Sequence, residues 1–205
     1  MSTSPFPSNT WAQEKRPLQP AKLLIQREDY VTCHIQVPEE SQRLSAITLD
    51  GKFYSFFRAL KEPIKTLGLL LKLTARGNQV AMTPISRGYV VWVHEPDGAP
   101  VKSATQTSPN LIQPTFGPAD CWVIGDRQLG YRACSLKVPD LSDTVLGLAD
   151  SKQRLYSLYR REKNPAQSLK LAARLAKRGD EVILLVRKAS YIICIYEPAA
   201  VIVPN

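Results

Sequence analysis

Sixteen side chains carry the chemistry this sequence can offer, and fourteen of them are cations. Between Lys52 and Arg76 stand Lys52, Arg58, Lys61, Lys65, Lys72 and Arg76 against a single acid, Glu62. Between Lys152 and Arg178 stand Lys152, Arg154, Arg160, Arg161, Lys163, Lys170, Arg174, Lys177 and Arg178 against Glu162. The two segments carry net charges of +5 and +8, more than the +9 of the whole chain, so everything outside them is net negative. Clustered Lys and Arg neutralise phosphates and release their counterions, or meet the acidic surface of a protein. Aromatic rings lie among them. Tyr54, Phe56 and Phe57 precede Arg58, and Tyr156, Leu158 and Tyr159 precede Arg160. Rings on a strand beside cations stack unpaired bases, although alternating rings are also how a strand builds a core. These cations without Lys152, together with Tyr54 and Tyr156, make up the sixteen.

Catalytic and metal chemistry has thin support. The two histidines, His34 and His94, have no counterparts at the repeat spacing described below. Glycine-rich phosphate loops, nucleophile elbows and H-E-x-x-H are absent from the sequence. Glu95 and Glu197 each stand immediately before a proline, which suits anchoring of a loop better than paired-carboxylate catalysis. The cysteines, Cys33, Cys121, Cys134 and Cys194, show no C-x-x-C spacing and lie in apolar runs, as small buried hydrophobes do. No catalytic residue, metal ligand or cofactor is assigned, and an enzyme is not expected.

The cations recur because the sequence recurs, at an offset of about one hundred residues. Tyr30, Cys33, Val37 and Pro38 return as Tyr131, Cys134, Val138 and Pro139. After one residue of slippage, Tyr54, Ser55, Arg58, Lys61, Pro63, Leu67, Leu73, Arg76, Gly77, Tyr89 and Glu95 return as Tyr156, Ser157, Arg160, Lys163, Pro165, Leu169, Leu175, Arg178, Gly179, Tyr191 and Glu197. A period this long exceeds the roughly 20 to 50 residues of a solenoid unit and reads as a duplicated small domain. The expected organisation is an N-terminal arm over 1–20, repeats over 21–96 and 119–205, and a Pro/Ser/Thr-rich linker over 97–118. Units of this size bury only about 60 to 65 % of their unfolded surface, so the copies are expected to pack together as a pseudo-dimer.

Within a copy the pattern predicts strands over 21–25, 30–37, 43–48 and 52–58, with Asp50-Gly51 as a tight hairpin turn. The period then changes. Pro63 to Arg76 carries Leu67, Leu70, Leu71 and Leu73 at helical spacing, with proline at the start and Gly77 at the stop. Strands over 80–85 and 89–94 follow, and the second copy repeats the order with Asn164 as N-cap. The reading is ββββαββ twice, an α+β class with one helix across each antiparallel sheet. At about 100° per residue, Lys170, Arg174 and Lys177 form one stripe and Leu169, Leu171, Ala172 and Leu175 the other. Lys65, Lys72 and Arg76 take the corresponding stripe in the first helix.

The composition, 44 % hydrophobic and 22 % charged, suits a folded protein. Residues 1–20 lack the pattern of a secretory leader, and charges and Pro198 interrupt the most apolar stretch, so no membrane span and a cytoplasmic location are expected. These readings converge on a non-enzymatic protein that binds RNA or single-stranded DNA through basic faces, or else an adaptor for an acidic protein partner.

Overall fold

The computed structural model describes residues 19–38, 42–101, 119–126 and 130–204. The expected N-terminal arm up to Leu18 and the linker from Lys102 to Pro118 lie outside them.

The chain is mixed α+β and mostly strand. It begins with β1 (Ala21–Leu23), a 3-10 turn (Arg27–Asp29), β2 (Val31–Gln36), β3 (Leu44–Leu49), β4 (Lys52–Leu60), α1 (Pro63–Ala75), β5 (Val80–Ile85), β6 (Gly88–His94) and β7 (Ala99–Pro100). It continues with β8 (Cys121–Gly125), β9 (Tyr131–Lys137), β10 (Thr144–Asp150), β11 (Leu155–Glu162), α2 (Pro165–Lys177), β12 (Val182–Val186), β13 (Tyr191–Tyr196) and β14 (Val201–Val203).

Local chemistry accounts for the turns and helix ends. Asp50 and Gly51 take φ of 51° and 73°, the left-handed pair that a two-residue hairpin between β3 and β4 requires. Pro63 and Pro165 open the helices, and the Asn164 side chain accepts the Ala166 and Gln167 amides. Gly77 and Gly179, at φ 87° and 102°, end them.

All fourteen strands of the described residues join one sheet, in the order β14-β9-β10-β11-β13-β12-β8-β1-β5-β6-β4-β3-β2-β7. Reading outward from the middle, β1-β5-β6-β4-β3-β2-β7 follows the same sequence of elements as β8-β12-β13-β11-β10-β9-β14. β1 runs parallel to β5, and β8 parallel to β12. The halves meet where β1 pairs antiparallel with β8, Ala21 opposite Val123 and Lys22 opposite Trp122.

Alternate strand residues sort the core into layers. On one face Leu23, Met82, Val91, Val123, Leu184 and Ile193 pack with Leu67, Leu70 and Leu73 of α1 and Leu169, Ala172 and Leu175 of α2. Both helices therefore lie on the same side of the sheet and share one core across the two halves. Leu71 of α1 sits over Gly125 of β8, where a methyl group would come within 3.2 Å of it. On the far face two separate clusters form, Leu24, Ile47, Tyr54 and Trp92 in the first half and Ile124, Tyr156, Ile183 and Ile192 in the second.

Each half carries one strand more than the expected six. β7 pairs with β2 through Ile35 opposite Pro100, so the chain stays in the sheet beyond residue 97, where the linker was expected to begin. β14 pairs likewise with β9. The glutamates before the prolines build this turn back. Ser55 Oγ donates to Glu95 at 2.6 Å and Ser157 Oγ to Glu197 at 2.8 Å, while the Glu95 and Glu197 carbonyls accept the Gly98 and Ala200 amides. Strands of two or three residues are too short to show periodicity, and the Pro/Gly content around β7 resembles linker.

Candidate nucleic-acid interface

The sheet divides the sixteen candidate residues between its two faces. Arg58 is paired with Val91 and Arg160 with Ile193, both of which face the helices. Lys61 and Lys163 lie in the short turns that lead into α1 and α2. Lys65 and Lys72 project from α1, Lys170, Arg174 and Lys177 from α2, and Arg76 and Arg178 cap the two helix ends. All eleven are exposed. The helix packing explains it. The buried arcs are Thr66, Leu67, Leu70, Leu73 and Thr74 in α1, and Ser168, Leu169, Ala172, Leu175 and Ala176 in α2, which leaves the cations on the outer side. Leu171, expected in the apolar arc, is partly buried against the same core, as is its counterpart Leu69.

The remaining five belong to the far face. Tyr54 is 8 % exposed and Tyr156 fully buried, so neither can stack on a base, a correction to the expectation that these two rings serve the basic surface. Their pairing partners show why. Tyr54 faces His94, and Tyr156 faces Tyr196, at ring separations of 5.3 and 5.5 Å within the far-face clusters. Tyr156 also donates its hydroxyl to Glu181 at 2.7 Å, and burial together with that carboxylate raises its pKa far above the ordinary range. Arg154 is held at 2.8 Å by Asp150 and at 2.7 Å by Glu181, with its guanidinium 5.7 Å from the Tyr156 ring. A cation clamped between two carboxylates is not available to a phosphate. Arg161 pairs with Ile192 and so points away from the helices. Lys52 reaches Gln79 at 3.2 Å.

Lys52 also lines an open cleft of about 140 Å³ on the far face at the junction of the halves, with Lys22, Asp50, Tyr54, Gln79 and Trp122. That volume is below the roughly 300 Å³ at which small-molecule sites begin. Lys22 is paired with Asp50 at 3.1 Å and Asp120 at 3.0 Å and sits over the Trp122 ring, so the charges here satisfy one another. Burial pushes the Cys121 and Cys194 thiols up to about 12, which keeps them protonated near neutral pH. Among the described residues no group of three His, Cys, Asp or Glu side chains could hold a metal, and no helix is long and apolar enough to cross a membrane.

On the helix side two cations have acidic partners. Lys65 pairs with Glu62 at 2.6 Å, exposed on both sides and therefore worth little to stability, and the exposed Arg160 pairs with the half-buried Glu162 at 2.8 Å. Among the described residues, Arg58, Lys61, Lys72, Arg76, Lys163, Lys170, Arg174, Lys177 and Arg178 have no carboxylate at ion-pairing distance.

The candidate set lacked two residues that this side does present. Both β4 and β11 carry a bulge, between Phe56 and Arg58 in one and Leu158 and Arg160 in the other. The extra residues, Phe57 and Tyr159, are 47 % and 50 % exposed. Alternation from Phe56, whose partner Trp92 faces away from the helices, sets Phe57 on the helix side, and the bulge returns Arg58 to that side as well. The same step places Tyr159 with Arg160. The available sequence signal was the matched aromatic-Arg pair 102 residues apart; the bulge itself left no trace.

No family model, curated protein or solved structure matches the chain.

Proposed function

We propose that this is a cytoplasmic, non-enzymatic binding protein that holds RNA or single-stranded DNA against the helix-side face of its sheet, chiefly through phosphate contacts. One observation carries the reading: nine exposed cations from both halves share that face with no carboxylate at ion-pairing distance among the described residues. A merely solvated face gains nothing by keeping so many cations unpaired, whereas a polyanion site does.

The chain is best understood as a tandem duplication packed as a pseudo-dimer. The common strand order, the paired Ser-Glu anchors and the matched bulges support it. So does the contact between halves. The register of β1 on β5 and of β8 on β12 matches Lys22 with Trp122, and so Ile25 with Gly125; Leu71 over Gly125 then has Ala173 and Ile25 as its equivalents, a large-small pair exchanged for a small-large one. Duplication brings two basic segments to one continuous face, which neither copy offers alone.

An acidic protein partner is the second reading, favoured by β14. That strand ends the sheet order with β9 as its neighbour, and Val201 and Ile202 are exposed on it. Titrating labelled single-stranded 20-mers into the full chain at two salt concentrations separates the readings. Binding that weakens steeply with salt is expected, and no measurable binding at low salt removes nucleic acid in favour of the protein partner.

A further inference from the structure

We infer that Phe57 and Tyr159 are base-stacking platforms, one in each half, so that the basic face takes unpaired nucleotides in preference to duplex. The inference rests on the nucleic-acid reading above and narrows it. Comparing the two bulges within the chain isolates what they share. From residue 56 to 60 the first half reads Phe, Phe, Arg, Ala, Leu, and from 158 to 162 the second reads Leu, Tyr, Arg, Arg, Glu. Three of the five positions changed character. The aromatic ring and the Arg beside it are the two that did not.

Core packing does not account for that pair, because Phe57 and Tyr159 are half exposed and Arg58 and Arg160 are exposed. Ladder pairing does not account for it either, because the ring occupies the unpaired position of the bulge. A bulge re-aims a side chain at the cost of a ladder contact. Here it sets a π face and a guanidinium together on the side of the sheet that carries the basic helices. A base stacked on the ring leaves its phosphate beside the Arg, and stacking of this kind tolerates any base. Paired bases are already stacked on their neighbours and present edges instead.

The two platforms lie seven strand spacings apart, roughly 34 Å along the sheet at about 4.8 Å each, with α1 and α2 between them. At about 3.4 Å per nucleotide a helically stacked strand crosses that span in about ten nucleotides. The platforms also differ. Glu162 screens Arg160, while its repeat equivalent Leu60 leaves Arg58 unscreened.

The test uses the full-length protein, a fluorescein-labelled single-stranded 20-mer, the matching 20-base-pair duplex, and poly-glutamate as a competitor. With Phe57→Ala and Tyr159→Ala each, single-strand affinity is expected to fall at least about fivefold, with the salt slope preserved and duplex affinity unchanged. Phe57→Leu and Tyr159→Leu, which keep apolar bulk without a π face, are expected to match the alanine variants. Phe57→Trp and Tyr159→Trp are expected to restore affinity, with indole fluorescence quenched on binding. Single-strand affinity unchanged on ring removal, or duplex affinity lost equally, overturns the stacking inference and leaves the phosphate reading standing. Failure of the wild-type protein to bind either nucleic acid at low salt, or displacement of the 20-mer by poly-glutamate at equal charge concentration, overturns both.

Discussion

Replacing Lys170, Arg174 and Lys177 together by alanine separates a phosphate-binding helix from a solvated one. All three side chains are exposed, lie off the buried arc of Ser168, Leu169, Ala172, Leu175 and Ala176, and have no carboxylate at ion-pairing distance among the described residues. Each phosphate contact to a single strand contributes a slope of about 0.7 in log K against log salt. Losing three contacts lowers the slope by about 2. If the electrostatic contribution vanishes near 1 M salt, the same arithmetic gives a loss of about 500-fold at 50 mM and about 30-fold at 200 mM. The widening of the deficit at low salt is the signature. The fold should hold. Alanine is the best helix former, and removing Arg174 and Lys177 from the last turn costs only about 0.3 to 1 kcal/mol each in lost dipole interaction. Lys72→Ala with Arg76→Ala in the first half should lower the slope by about 1.4, since each is one unpaired contact. Fluorescence anisotropy at four salt concentrations, with a thermal melt of each variant, gives all of these quantities. A triple variant whose affinity falls by the same factor at every salt concentration, or not at all, refutes the assignment of these side chains to phosphates.

Three further outcomes follow from the far face and the junction. Tyr156→Phe removes the hydroxyl from Glu181 and should cost about 1.5 to 3 kcal/mol by urea denaturation, while Tyr54→Phe costs less, since Gln79 stands where Glu181 does and accepts from Lys52 instead. His94 has its pKa lowered by burial and by Lys52, so protonation favours the unfolded chain. Stability should be full above about pH 6.5 and decline as pH falls through the folded pKa, and His94→Gln should flatten that limb of the urea midpoint against pH. A chain ending at Val101 loses α2 and β8 from the shared core, and should melt lower than the whole and self-associate with concentration in analytical ultracentrifugation.

The elements that were legible in the sequence are those whose periodicity spans a whole strand or helix. The bounds of β5, β12 and β13 and the ends of both helices follow from β-branched runs, leucine spacing, Pro63 and Pro165, and Gly77 and Gly179. The Asp50-Gly51 turn follows from backbone sterics alone. What was not legible depends on contacts between distant segments. Nothing local to β4 says that Phe57 is the unpaired residue, because a bulge is a mismatch in length between two strands and exists only once β4 meets β6. Strict alternation through that point would put Tyr54, Phe56 and Arg58 on one face. The bulge moves Arg58 to the other face, leaving Tyr54 in the far-face core and Phe57 beside Arg58. The same one-residue slip acts at Leu158, where it moves Arg160 from the side of the buried Tyr156 to that of the exposed Tyr159. Side-chain period in a strand is two, so one extra residue reverses the assignment of every residue beyond it. The charge excess survived this because the helices and their C-caps carry seven of the fourteen candidate cations and the strands only four, and a helix face is set within its own thirteen residues. Lys52, Arg154 and Arg161 fall on the far face instead, and Arg154 is further lost to carboxylates, one of them Glu181, 27 residues away, a distance over which composition gives no warning.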